Sequence, residues 1–96
     1  MSMTPEAKVK KAVKAILTMT GAYHFSPPAN GYGRMGIPDI VGCHRGKFFA
    51  IECKAGRGQT TELQELELER IRETGGATLV VNESNIDDVR KLMERL

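Results

Sequence analysis

The sequence predicts an α/β fold, a mixed β-sheet with helices packed on both faces in the order α-β-β-β-α-β-α. Three observations point there. Apolar residues recur at helical spacing near both ends and again after residue 61, and two runs rich in β-branched and apolar residues flank a short polar turn at residues 44–46. A strand, a helix and a strand then follow in succession, an order that calls for a parallel crossover. With 96 residues the chain can bury only one core, so residues 1–96 are expected to form a single domain.

The elements follow in order. Thr4-Pro5 is a helix start, a capping hydroxyl followed by proline at the first helical position, and Val9, Ala12, Val13, Ile16 and Leu17 continue it at helical spacing to about Gly21. Ala22 to Phe25 reads as a short strand. Ser26 to Gly36 is a long loop dense in proline, glycine and asparagine, and loops of that length tend to be functional or disordered. Ile37 to Cys43 and Lys47 to Lys54 form a hairpin around His44-Arg45-Gly46, and Ala55 to Thr60 is a second, basic loop containing glycine. Thr61 caps a helix carrying Leu63, Leu66, Leu68 and Ile71, which Gly75-Gly76 ends. Thr78 to Val81 is the last strand, and a final helix begins near Ser84 with Ile86, Val89, Leu92, Met93 and Leu96 on one stripe. That stripe is wide enough that part of it is expected to be shared with a second copy of the chain.

Composition removes several function classes. No apolar run approaches the ~20 residues of a membrane span, and the lysine-rich start lacks the apolar stretch of a secretory signal. A cytoplasmic protein is expected. Cys43 and Cys53 are too few for a disulfide framework, and no Cys/His spacing suits zinc. The net charge of +2 conceals an asymmetry: Lys and Arg outnumber Asp and Glu nine to three as far as Gly58, then are outnumbered nine to five. The first part of the chain therefore suits a polyanion, with Lys8, Lys10, Lys11, Lys14, Arg34, Arg45 and Arg57 as candidate phosphate contacts; a solvated lysine face on the first helix would explain the same lysines.

The hairpin carries the chemistry. If Arg45-Gly46 is a two-residue turn closed by His44 and Lys47, Asp39 falls opposite Glu52, whereas a three-residue loop would shift the register by one. Two carboxylates at cross-strand spacing, with Cβ atoms ~5 Å apart, repel unless a positive charge lies between them. Strand alternation puts Lys54 on the face of Glu52 and turns Ile51 and Cys53 to the other. A hard divalent cation fits such a pair, with the backbone carbonyl of Cys53 as a third ligand and several retained waters if the ion is Mg²⁺. Metal, carboxylates and lysine are the parts of phosphodiester hydrolysis. Without the register these residues would be an ordinary polar strand edge with Asp39 capping its start. His24 and His44 lie outside the constellation.

Gly36-Ile37-Pro38-Asp39-Ile40, the triplet Glu52-Cys53-Lys54, Gly56 and then Gln64 on the following helix resemble the PD-(D/E)XK nuclease superfamily, and within it the VRR-NUC branch, over roughly Thr4 to Val81. The resemblance implies a restriction-endonuclease-like sheet. It implies Asp39 and Glu52 as metal ligands, Lys54 as the catalytic lysine, Gln64 as a supporting glutamine and Glu6 as the acid of the first helix that completes the site. Two positions depart from the pattern: Cys53 stands where the branch usually has an aliphatic residue, and Leu68 replaces a tyrosine that some members carry. Glu6 lies on the stripe of Val9, Val13 and Ile16 and is expected to point inward. Gln64, three residues after Thr61, has a helix-capping role open to it as well.

The implied activity is Mg²⁺- or Mn²⁺-dependent endonucleolytic cleavage of DNA. Standalone members of the branch resemble Holliday-junction resolvases, homodimers that place one site on each of two opposed strands, and a chain this short favours reading branched shape over sequence. Such an enzyme would serve recombination and repair on the nucleoid of a bacterial or phage-infected cell, with no membrane partner and no nucleotide cofactor. A flap- or nick-processing nuclease and a non-catalytic DNA-binding module are the alternatives, and metal-dependent cleavage separates the last from the other two.

Overall fold

A computed structural model describes residues 2–28 and 34–96. Seven elements follow the expected order: α1 (Pro5–Thr20), β1 (Tyr23–Phe25), β2 (Ile40–His44), β3 (Lys47–Cys53), α2 (Glu62–Glu73), β4 (Ala77–Val81) and α3 (Asp88–Arg95). The strands form one mixed sheet in the order β1-β2-β3-β4. Its first three strands run antiparallel and β4 joins β3 in parallel after the α2 crossover.

The register of the hairpin is the one a two-residue turn dictates. His44 pairs with Lys47 and Ile40 with Ile51. Arg45 and Gly46 both adopt positive φ, 53° and 80°, as a type I′ turn requires, so arginine accepts the left-handed conformation here in place of the usual asparagine. One face of the sheet carries Ile40, Phe49, Ile51, Cys53 and Val81, all fully buried against Val9, Val13 and Leu17 of α1 and Val89, Leu92 and Met93 of α3. Gly42 belongs to that face because the ring of Phe49 crosses it: a Cβ there would lie 2.6 Å from Phe49 Cζ and 2.0 Å from the Tyr23 carbonyl oxygen. On the opposite face α2 covers β3 and β4 with Leu68. Helices thus pack on both faces, as expected.

Several boundaries and exposures differ from the expectation. β2 starts at Ile40 rather than Ile37, because Pro38 has no N–H for a ladder and Gly36, at φ 82°, turns the chain beforehand. The last helix starts at Asp88 rather than near Ser84. Asn82 and Asn85 hold residues 82–85 in a side-chain-bonded turn, the N–H of Asn82 donating to Asn85 Oδ1 and that of Ser84 to Asn82 Oδ1, each at 2.8 Å. Leu63 and Leu66 are about half exposed, since α2 lays Leu68 and the side of Gln64, Glu67 and Ile71 against the sheet instead. Of the α3 stripe, Val89, Leu92 and Met93 are buried in the chain's own core, and Ile86 and Leu96 are partly buried against it. No helix among the described residues is long and apolar enough to cross a membrane.

Candidate active site

The open end of the hairpin, where β3 runs out beside the parallel strand β4, collects the chemistry. Asp39 immediately precedes β2, and its Oδ2 accepts a 2.8 Å hydrogen bond from the main-chain N–H of Cys53. That bond takes over where the β2–β3 ladder stops and fixes the carboxylate against the strand that carries Glu52. Glu52 lies in β3 on the face covered by α2 and is only 1 % exposed. Its Oε2 is buried without a hydrogen-bond partner.

Burial first, and the hydrogen-bonded, charged Asp39 carboxylate second, push Glu52 up to about 9, against the pull of Lys54 and with a further upward push from Glu6. Two neighbouring carboxylates are thus held where burial and their mutual repulsion favour the protonated form of Glu52. Lys54 follows directly on β3, its N–H donating to the Val81 carbonyl at 2.8 Å, which anchors its backbone to β4. The Cys53 side chain is on the core face, fully buried. Burial pushes its thiol up to about 12, so at neutral pH it offers no thiolate. Any part Cys53 plays in the site falls to its main chain.

The remaining candidates lie at varying distances from this pair. Glu6 is exposed rather than inward-pointing. It does lie on the stripe of Val9 and Val13, but one turn beyond the core, so it reaches the carboxylate pair only through its charge. Lys10, one turn further on, is felt at Cys53 and so stands nearer the site than Lys8 and Lys11, which point to solvent from the far side of α1. Gln64 completes a capping box: its Oε1 accepts from the Thr61 N–H at 2.9 Å while its own N–H donates to Thr61 Oγ1. Gly36 packs directly on this first turn of α2, where a Cβ would lie 2.5 Å from the Leu63 carbonyl oxygen and 2.9 Å from the Gln64 nitrogen. The segment leading to Asp39 is therefore seated on the start of α2. Gly56 donates to Glu83 at 2.9 Å, tying the loop that bears Arg57 to the turn after β4. Arg45 sits at the opposite end of the hairpin. The loop expected around Arg34 lies partly outside the described residues; Arg34 itself donates to Glu67 Oε1 at 2.8 Å.

Glu67 was missed in the sequence. It is buried on α2, and its position among Gln64, Leu68 and Ile71, at helical spacing on the covered side, is the signal that marks it. Among the described residues no group of three or more His, Cys, Asp or Glu side chains is placed to hold a metal. Asp39 and Glu52 nonetheless suit a hard cation. Mg²⁺ is commonly held by one or two carboxylates with waters completing its shell, and the orphaned Glu52 Oε2 lacks only such a partner.

Comparison with known proteins agrees with this geometry. A solved structure described as "VRR_NUC domain" is 27% identical, covers 96% of this chain and 97% of its own, and superposes with a TM-score of 0.73. A second, "VRR_NUC domain protein", shares the fold at 16% identity, with 99% of this chain and 89% of its own covered and a TM-score of 0.64. No curated protein is significantly similar in sequence. The family model described as "Archaeal holliday junction resolvase (hjc)" matches residues 6–88, from Glu6 through the carboxylate pair to the start of α3. The chain belongs to the archaeal Holliday junction resolvase family, with the mixed sheet and flanking helices of a VRR-NUC, PD-(D/E)XK-like nuclease domain.

Proposed function

We propose that this chain is a divalent-metal-dependent DNA endonuclease that cleaves branched DNA, resolving four-way junctions as a homodimer. The observation that carries the reading is the Asp39–Glu52 pair: a carboxylate 1 % exposed, with one oxygen unpartnered, pressed against a second carboxylate beside a lysine. A structural role would be better served by an apolar residue, because an unpaired buried carboxylate costs stability. Mg²⁺ or Mn²⁺ held by Asp39 and Glu52, with the Cys53 carbonyl as a candidate third ligand, would polarise the phosphate and activate water.

The chain's own residues do the rest. Asp39 is oriented by the Cys53 N–H, which engages one of its two oxygens. Lys54, on the strand end anchored to β4, supplies positive charge where negative charge develops on the phosphoryl oxygens. Glu6 and Lys10 of α1 set the charge at the rim. Gln64 keeps the first turn of α2 in place under Gly36 and hence under the segment that delivers Asp39.

A second copy of the chain is the partner we assign to the exposed sheet face. Tyr23 of β1 and Phe48 of β3 flank Cys43 in one row, with Phe25 and Val41 in the next. Tyr23, Phe25 and Phe48 are 69 %, 48 % and 46 % exposed. Three rings at this exposure present ~300 Å² of apolar surface, the size expected for the centre of an interface burying ~800 Å² per partner. Phe48 and Glu52 share one face of β3, so a two-fold dimer through the aromatic patch would relate two carboxylate sites by symmetry. Lys8, Lys11 and Arg57 are free to meet DNA phosphates, and the expected setting is the cytoplasm.

The test is incubation of purified protein with an end-labelled four-way junction, a flap and a linear duplex, with and without Mg²⁺ or Mn²⁺. Symmetrical metal-dependent nicks in the junction are expected. Preferential flap cleavage would move the assignment to a flap nuclease, and binding without cleavage would make the chain a DNA-binding module.

A further inference from the structure

A cavity of about 470 Å³ lies at the end of the molecule opposite the carboxylate pair, lined by Lys47, Arg72, Arg95 and the Gly75–Gly76 main chain. It is framed by the tip of the hairpin, the turn between α2 and β4, and the end of α3. Arg45 stands at its edge, its Nη1 3.5 Å from the Leu96 carbonyl oxygen. Among the described residues none of the lining cations Lys47, Arg72 and Arg95 has an Asp or Glu carboxylate oxygen within 4.0 Å, and Glu94 is occupied by Arg90 at 2.6 Å. Arg72 donates through Nη1 to Thr78 Oγ1 at 2.9 Å, which directs the guanidinium and leaves most of its five donors unused. Three like charges around one concavity repel, and an anion entering it offsets that repulsion.

We propose that this cavity is a second phosphate-backbone contact of the same protein, gripping the duplex arm about six base pairs from the phosphate being cut. The inference rests on the nuclease reading and extends it. Asp39 and Arg45 bracket the five residues of β2, and six steps of strand at ~3.3 Å place the two ends of the hairpin ~20 Å apart. A duplex advances ~3.4 Å per base pair along each strand, so an arm lying along the hairpin brings a phosphate to the cavity about six base pairs from the carboxylate pair. Side chains that fork toward phosphate oxygens, together with small main-chain residues that let a backbone approach, are the chemistry such a contact needs.

The experiment uses the full chain and its Lys47→Gln/Arg95→Gln variant, neither position belonging to the carboxylate site, with junctions whose arms are about 5 or about 15 base pairs long. Dissociation constants are measured against salt concentration without divalent cation. On long arms the variant is expected to bind about tenfold more weakly, with a salt slope shallower by about one unit per lost contact; on short arms it should match wild type. Equal affinity and slope on long arms overturns the assignment, as does an equal loss on both arm lengths, which would indicate a general field effect. Inorganic phosphate that binds the wild type but not the variant, with long-arm affinity unchanged, would give the cavity to a small anion instead. If the wild type cleaves junctions while the variant is silent in every assay, the cavity assignment alone falls; if the wild type neither binds nor cleaves DNA, the nuclease reading falls with it.

Discussion

The main-chain N–H of Cys53 donates a 2.8 Å hydrogen bond to the Asp39 carboxylate, across the mouth of the hairpin. The bond couples a catalytic candidate to the backbone of the strand that carries its partner, Glu52. Asp39 therefore has a structural duty as well as a chemical one, and the two can be separated by substitution.

Asp39→Asn keeps an oxygen able to accept from the Cys53 N–H, whereas Asp39→Ala leaves that N–H without its partner, at a cost of about 1–3 kcal/mol. Both variants are expected to lose junction cleavage by more than a hundredfold, but only the alanine variant should unfold measurably earlier. Single-turnover cleavage and urea midpoints on the two proteins check this. Cleavage near the wild-type rate by the asparagine variant would remove Asp39 from the site.

Glu52 governs how the metal-free protein responds to pH. Its ordinary carboxyl value is 4.5, and burial beside Asp39 raises it to about 9 in the native state. The unfolded chain thus releases this proton near 4.5 while the native chain keeps it, so the stability it contributes is complete below 4.5 and falls as pH rises toward 9. Glu52→Gln should flatten that decline and, at pH 8 in chelator, raise stability by roughly 3–5 kcal/mol, more than ~10 °C in Tm for a chain of this size. Added Mg²⁺ should stabilise the wild type and not the variant. Thermal melts at pH 5, 7 and 8, with chelator and with Mg²⁺, provide the readout.

Lys54→Ala is expected to cut the single-turnover rate about a hundredfold or more while changing DNA affinity by less than threefold, because charge aimed at the developing oxyanion acts in the transition state rather than in the bound ground state. Measuring the rate at saturating enzyme separates the two effects. An unchanged rate with weakened binding would reassign Lys54 to holding DNA.

Phe48→Asp introduces a charge in the middle of the exposed aromatic face without disturbing the buried side of β3, where Phe49 and Ile51 pack. Light scattering should give twice the chain mass for the wild type at micromolar concentration and the single-chain mass for the variant, with helix content unchanged. A wild type of single-chain mass, free and on junction DNA, would contradict the dimer and favour the flap alternative.

The fold was legible because its signals are local. Thr4-Pro5 and the Thr61–Gln64 capping box start helices by their own hydrogen bonds, and the spacing of His44 and Lys47 about a two-residue turn fixed the whole β2–β3 register. That register alone sets Asp39 opposite Glu52. What escaped depends on contacts made far along the chain. Glu6 follows the correct stripe, yet its exposure is set by how far α1 overhangs the sheet. Glu67 is buried on the covered side of α2, and the partner that satisfies it there, Arg34, lies 33 residues earlier. The α3 stripe looked surplus because the sequence does not reveal that α1 and α3 jointly cover one sheet face, leaving the apolar excess on the other, at Tyr23, Phe25 and Phe48.

The carboxylate pair as a metal-dependent catalytic centre is tested most directly by single-turnover cleavage of a labelled four-way junction with Mg²⁺, comparing the wild type with Glu52→Gln, a substitution that preserves size and removes the charge. The wild type should nick the junction only when Mg²⁺ is present, and the variant should bind the junction normally yet cleave it at least a hundredfold more slowly at every Mg²⁺ concentration. Wild-type rates from Glu52→Gln, or equal wild-type cleavage in chelator, would contradict the account.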